Sequence, residues 1–165
     1  MKSKAFLGVL VALVGVGVYV GTVLATPPSG LTTSTVARAS FEPLRLRAQS
    51  DPPHAWRVRM KTHGTSDFYV IHNTLAPGGT TGWHSHPGPS LIFVVSGEVT
   101  NYLGDDPNCT PHVYTAGQGF IDAGGTDVHM LRNNGSVSAE TVAVQFLQAG
   151  AVRRIDEPDP GNCHF

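Results

Sequence analysis

The sequence predicts an all-β domain that follows an apolar N-terminal segment. Glycine and proline number 19 and 12 among the 165 residues, a composition that suits short strands joined by tight turns. Short apolar or β-branched runs alternate with turn clusters such as "APGG", "GDDPN" and "NNGS". Because no amphipathic helical pattern interrupts these runs, and the length suits one core, we expect a single sandwich or barrel.

The first segment, residues 1–25, is expected to be either a cleaved signal peptide or a transmembrane anchor helix. "MKSK" supplies two lysines, and an uncharged apolar run then extends from Ala5 to Ala25. The run ends in Val23-Leu24-Ala25, which suits a cleavage site, yet it is also long enough to cross a bilayer. Both alternatives export the rest of the chain, because Lys2 and Lys4 favour the cytoplasmic side.

Three further segments follow the apolar run. Residues 26–54 are rich in Pro, Ser and Thr and are expected to be a flexible tether and N-terminal tail. Residues 55–150 should form the barrel, and residues 151–165 a C-terminal tail. Nine candidate strands lie in the barrel: "AWRVRM", "DFYVIHNTLA", "TTGWHSH", "SLIFVVSG", "EVTNYL", "HVYTAG", "GFIDA", "DVHMLRN" and "AETVAVQFLQ".

The two cysteines suit an exported protein. Cys109 and Cys163 are far apart in sequence and lack the CxxC spacing of a strong metal motif, so we predict that they form a disulfide. The alternative is free or metal-bound thiols, since His112 and His164 lie close to them in sequence. A Cys109–Cys163 bridge would attach the C-terminal tail to the barrel.

The charge balance argues against a nucleic-acid partner. The formal net charge is −1, whereas binding to nucleic acid depends on Lys and Arg that neutralise phosphates. The sequence also lacks a phosphate-binding loop, a dinucleotide fingerprint and a Ser-His-Asp elbow. A small-molecule ligand is therefore the expected partner, with the membrane as a second one if the N-terminal segment is not cleaved.

Two histidines one residue apart carry the main functional signal, within "PGGTTGWHSHPGPSLIFVVSGEV". Side chains two apart on a strand share a face, so His84 and His86 can present nitrogen lone pairs to one cation. Gly78 lies six positions before His84, and Gly97 lies seven after Ser90. This pattern resembles the first motif of the cupin superfamily, in which a glutamate occupies the position of Ser90.

A second motif supports the resemblance. His129 lies four residues before Asn133, and this spacing is similar to the end of the second cupin motif. The chain departs from that motif at Gly124 and Thr126, which replace its usual proline and glycine. The resemblance covers roughly residues 55–150 and implies a double-stranded β-helix, or jelly-roll barrel.

The resemblance also implies a ligand set and a chemistry. His84, His86 and His129 would hold one divalent ion, with Zn, Fe, Mn and Cu as candidates. Without the glutamate, three neutral imidazoles leave the site two units positive, which favours anionic ligands. The implied activity is that of a metal-dependent dioxygenase or hydrolase acting on a small chelating or anionic molecule. Cupins often pair through a sheet, which makes a homodimer one alternative for the assembly.

The same residues also allow non-catalytic and purely structural interpretations. The three histidines can be relics of a lost site, and the domain can be a non-catalytic ligand-binding or sensing module, or a metal-free structural domain. Three more side chains are pocket candidates, each with a structural alternative: Ser90, Gln145 and His72. Glu98 and Asp122, the acids nearest the motifs, are expected to be surface or turn residues.

Overall fold

The computed structural model describes residues 24–51 and 56–165. Within these ranges the regular secondary structure consists entirely of β-strands. No helix in the described part of the chain is long and apolar enough to cross a membrane. The predicted signal or anchor falls on residues 1–25, nearly all of which lie outside the described residues.

The described residues form twelve strands, and all nine strands predicted from the sequence are present. The strands are β1 Ser29–Phe41, β2 Arg45–Gln49, β3 Arg57–Lys61, β4 Ser66–Thr80, β5 His84–Ser85, β6 Ser90–Ser96, β7 Glu98–Leu103, β8 His112–Thr115, β9 Gly119–Asp122, β10 His129–Arg132, β11 Ala139–Gln148 and β12 Ile155–Asp156.

Ten of these strands pair into one sheet that curls into a nearly closed barrel. The order along the main path is β12-β5-β10-β4-β11-β6-β9, with β1 paired to β4 and β7 paired to both β10 and β8. The long strand β4 joins the two halves of the barrel, since residues 66–75 pair with β11 while Thr80 pairs with Arg132 of β10. The site described below lies between these two halves.

The expectation of a flexible tether over residues 26–54 is wrong for most of its length. Strand β1 pairs with β4 from Ser29 opposite Thr80 to Phe41 opposite Ser66, and β2 pairs with β3 in a separate two-stranded sheet. Twelve of the thirteen β1 residues are exposed, because β1 lies at the edge of the sheet. An edge strand with both faces in water has no apolar alternation for sequence analysis to detect.

Three small clusters of buried residues form part of the barrel core in the described part of the chain. Ile71, Ile92 and Ala143 pack beneath the site, and a second cluster is formed by Val94, Val99 and Ala139. Buried residues alternate with more exposed ones along β11, as expected of a strand with one face in the core.

The third cluster lies next to the C-terminal tail and contains Trp83, Tyr102, Met130 and Cys163. The predicted disulfide is present, with Cys109 and Cys163 joined at a Cα–Cα distance of 5.2 Å. The tail therefore packs on the barrel beside the strand that carries the histidines.

Candidate metal centre

Three buried histidines converge at one end of the barrel. His84 lies on β5 directly opposite His129 on β10, and His86 follows two residues after His84. Each of the three is at most 6% exposed, and one nitrogen of each can be chosen so that all three lie within 4.8 Å of one another. The HxH spacing and the second motif thus correctly predicted which histidines come together.

Backbone carbonyls set the tautomers of two of these rings. The Nδ1 atom of His84 is 2.9 Å from the carbonyl oxygen of Gly82, and that of His86 is 2.7 Å from the carbonyl oxygen of Arg153. A carbonyl can only accept a hydrogen bond, so Nδ1 carries the proton and donates it. The Nε2 lone pair of each ring therefore remains free, as in histidines that bind metals.

Burial keeps all three rings neutral at neutral pH. It lowers the pKa of His86 to about 4 and that of His129 to about 3. The pKa of His84 is also well below its ordinary value, through burial first and the charge of His129 second. Three neutral imidazoles with directed lone pairs fit a borderline divalent metal.

Asp122 belongs to this site, which corrects the expectation of a surface or turn residue. The residue is 7% exposed, with Oδ1 3.6 Å from Nδ1 of His129 and Oδ2 4.0 Å from Nε2 of His86. Oδ1 accepts a hydrogen bond from the amide of Gly124. Burial raises the pKa of Asp122 to about 6.

The sequence contained a signal for Asp122. Phe120 is the aromatic residue of the predicted strand "GFIDA", a residue type that packs in cores, and residues two apart on a strand share a face. In β9, Phe120 is half-buried and Asp122 is buried, while the residues between and before them are exposed. Glu98, in contrast, is only half-buried and lies at the start of β7.

A cavity of about 150 Å³ adjoins the histidines. It is well below the roughly 300–1,000 Å³ of pockets for drug-sized ligands, so it has room only for a small molecule. Ile71, Ile92 and Ala143 contribute apolar lining, and two arginines of the C-terminal tail, Arg153 and Arg154, contribute charge. The sequence analysis missed these arginines because only the folded tail brings them to the cavity.

Two of the three pocket candidates line the cavity. Gln145 and Ser90 are buried there, and Nε2 of Gln145 donates to Oγ of Ser90 at 3.2 Å. Nη1 of Arg153 donates to Oε1 of Gln145 at 3.1 Å. His72 lies outside the lining, because its ring is on the other face of β4 and pairs with Glu140 at 3.2 Å.

Fold and site together define a small β-barrel protein with a buried histidine cluster of the kind that holds metal ions. Residues 71–145 match the family model described as Cupin domain. This part of the chain, which carries all three histidines, is similar to the cupin superfamily. No curated protein matches the chain.

Several solved structures are similar at low identity. An oxalate oxidase is 22% identical over 50% of this chain and 46% of its own, with a TM-score of 0.42. The polyketide cyclase RemF from Streptomyces resistomycificus is 20% identical over 56% of this chain and 64% of its own, with a TM-score of 0.46. A cupin domain of an XRE family transcriptional regulator from Enterobacter cloacae is 16% identical over 71% of this chain and 96% of its own, with a TM-score of 0.44.

The chain spans less than half the length of that oxalate oxidase. The three similar proteins differ in function, and at these identities they carry no argument about a substrate.

Proposed function

We propose that this protein binds one divalent metal ion through His84, His86 and His129 and uses it to bind and transform a small anionic or chelating molecule. The observation that carries the proposal is the convergence of three buried, neutral imidazoles, two of which are held by backbone carbonyls. Such an arrangement orders the ligands before any ion arrives, as metal sites require. Zinc, iron, manganese and copper all accept imidazole, and the donor set does not choose between them.

The charge around the cavity supports an anionic occupant. Arg153 and Arg154 line the same cavity as the three histidines. Nη2 of Arg154 donates to the carbonyl oxygen of Thr81 at 2.6 Å, which holds the guanidinium at the cavity wall. A carboxylate is the simplest group that pairs with guanidinium in a small site.

The remaining wall residues would orient the bound molecule. Gln145 and Ser90 present an amide and a hydroxyl, while Ile71 and Ile92 limit the water that can enter. A divalent ion held by the histidines supplies Lewis acidity and, if it is redox-active, electrons for oxygen chemistry. Oxidation and hydrolysis are therefore the reaction types we propose.

A non-catalytic binding function is the second candidate. The polar side chains of the cavity wall are hydrogen-bonded to one another, since Gln145 donates to Ser90 and accepts from Arg153. A wall of this kind can recognise a ligand without activating a nucleophile. A ligand-binding protein would gain thermal stability from a small carboxylate without forming product, whereas an enzyme would consume substrate only when loaded with metal.

We also propose that the domain works outside the cytoplasm. The disulfide between Cys109 and Cys163 supports this location, because such bonds persist in oxidising compartments. The apolar run within residues 1–25 supports it as well, whether it is cleaved or retained. Fractionation of cells that express the full chain, with sizing of the product, tests both points.

Metal analysis of the purified protein is the direct test of the proposed function. We expect about one equivalent of a divalent metal in the wild type, and less than about a tenth of that in a His84→Ala/His86→Ala variant, because removal of two ligands leaves one imidazole. His72→Ala is the matched control, since this histidine lies outside the cavity, and it should keep the metal. The proposal is wrong if the wild type holds no metal and takes up none of zinc, iron, manganese or copper.

A further inference from the structure

Strands β2 and β3 form a hairpin with a strongly cationic face, outside the ten-stranded barrel sheet. Residues directly opposite in an antiparallel pair, and residues two apart along a strand, share a face. The register places six polar residues on one face in three opposed pairs: Arg45 with Lys61, Arg47 with Arg59, and Gln49 with Arg57. This face of the arginine hairpin, as we call β2 and β3, thus carries five of the protein's 11 Lys and Arg residues.

The other face of the arginine hairpin is apolar and accessible. Leu46 lies opposite Met60, and Ala48 lies opposite Val58. Leu46 is 51% exposed, while Val58 and Met60 are half-buried. Trp56, which is 61% exposed, directly precedes β3, and strand alternation places it on the same face as Val58. The hairpin is therefore amphipathic, and its apolar face lies outside the three core clusters.

The cationic face has an electrostatic cost that the chain itself does not offset. Like charges directly opposite each other destabilise a strand pair, and Arg47 with Arg59 is such a pair. Within the described ranges, none of the five cations forms an ion pair with an acid. A two-stranded sheet is also only marginally stable in water. An anionic partner would offset the repulsion and stabilise the hairpin.

We propose that the arginine hairpin binds the surface of a membrane that contains anionic lipids. An amphipathic element lies in the plane of such a surface with its apolar face toward the acyl chains, while long Arg and Lys side chains extend to the phosphates. Trp56 suits this position, because tryptophan is enriched at the boundary between membrane and water. The inference depends neither on the metal site nor on retention of residues 1–25.

The arrangement of the two faces favours lipid over nucleic acid. Surfaces that bind single-stranded nucleic acid combine cations with aromatic side chains on which the bases stack. Here Trp56 and the cations lie on opposite faces of the hairpin. A nucleic acid on the cationic face would leave Leu46 in water, whereas a lipid surface engages both faces.

Tryptophan fluorescence of the full chain with lipid vesicles tests the inference. The protein has two tryptophans, and Trp83 is 2% exposed, so Trp56 is the accessible reporter. With vesicles of phosphatidylglycerol and brominated phosphatidylcholine in equal amounts, we expect quenching of Trp56 and a shift of its emission to shorter wavelength. Both effects should disappear in Trp56→Phe, with brominated phosphatidylcholine alone, and in about 0.5 M NaCl, which screens the charges. A retained N-terminal segment would insert into either kind of vesicle, so the difference between them reports the hairpin.

Variants of each face separate the two contributions. Arg47→Gln/Arg59→Gln should raise the lipid concentration for half-maximal quenching about 30-fold, at about fivefold for each cation. Its thermal stability should not fall, since opposed like charges are removed. Arg132→Gln, which removes a cation from β10 of the barrel, is the control and should leave quenching unchanged. Leu46→Ser/Met60→Ser should also lose quenching, although all five cations remain.

The contrary results are distinct. Equal quenching with neutral and anionic vesicles, or none with either, would overturn the inference. If the chain instead binds a DNA or RNA oligonucleotide, and Leu46→Ser/Met60→Ser binds it as tightly, the partner is a nucleic acid and the lipid inference is wrong. If sedimentation shows self-association that Leu46→Ser/Met60→Ser abolishes, the apolar face joins two copies of the chain and the inference is also wrong.

Discussion

Burial of single titratable groups determines how the site responds to pH. The three histidines are neutral because transfer of a charged imidazole into the barrel is unfavourable. Asp122 experiences the same environment with the opposite result, since burial raises its pKa to about 6. At neutral pH the three histidines are therefore neutral, whereas Asp122 loses its proton as the pH rises through about 6.

We predict that the free energy of unfolding of the metal-free protein falls as the pH decreases from 6.5 to 4. In this range the unfolded chain takes up protons at histidine while folded His86 and His129, with pKa values of about 4 and about 3, do not. Each such group contributes a slope of about 1.4 kcal/mol per pH unit. Urea unfolding at several pH values after treatment with EDTA measures the slope.

Asp122 acts in the opposite direction and provides the control. Its raised pKa means that its contribution to stability is present below the ordinary aspartate pKa and is lost as the pH rises through about 6. Asp122→Asn should therefore steepen the slope between pH 4 and 6, and His129→Gln should flatten it. A wild-type slope near zero would show that the rings already carry protons in the folded state.

Site residues were predictable from sequence where they follow a strand period or a motif. His84 and His86 share a face because they are two apart, and His129 stands at a motif position. Arg153 and Arg154 were not predictable, because their approach to the cavity depends on the fold of the tail. Local patterns identify the three histidines on the motif strands, whereas only tertiary structure brings the tail close to them.

At the scale of elements, the same distinction separates the strands that were predicted from those that were missed. Eight of the nine predicted strands have apolar runs or an alternating face that packs in the barrel, whereas the ninth, β3, pairs with β2 in the separate two-stranded sheet. Strand β1 was missed although its Thr, Ser and Val residues suit a strand, because both of its faces are exposed. Backbone pairing with β4 holds it in place, and Asp67, a buried acid on β4, adds an ion pair with Arg38 at 2.7 Å.

The loop between β9 and β10 gives a matched pair of glycines for a second prediction. Gly124 and Gly125 both have a φ of +74°, but a Cβ on Gly124 would lie 2.3 Å from the carbonyl oxygen of Gly88, whereas one on Gly125 would meet nothing within 4 Å. Gly125→Ala should cost about 1–2 kcal/mol through the left-handed backbone alone. Gly124→Ala should cost about 1–3 kcal/mol more through overpacking.

Urea unfolding of the two alanine variants measures this difference. Equal stabilities for the two variants would mean that the loop moves away from Gly88 at no cost, and that its position does not depend on this close approach.

At the scale of the whole molecule, the C-terminal tail connects the disulfide to the histidine cluster. The carbonyl of Arg153 accepts the Nδ1 proton of His86, and Asp156 on β12 pairs with His84 on β5. The Cys109–Cys163 bond attaches the end of the same tail to the barrel. Any release of the tail therefore removes a group that orients a histidine.

We predict that loss of the disulfide weakens both the fold and the metal site. The two cysteines are 54 residues apart, and a bridge closing a loop of this size contributes about 2–4 kcal/mol. Zn²⁺ affinity should fall by about 10-fold, the lower range for loss of a group that orients a ligand, since the carbonyl of Arg153 would hold His86 less firmly.

A Cys109→Ser/Cys163→Ser variant, studied by thermal unfolding and calorimetric titration, tests both effects. His72→Ala serves as the reference for an unrelated substitution in the barrel. If the variant is destabilised but binds Zn²⁺ as tightly as the wild type, the tail supports the barrel without controlling the orientation of His86.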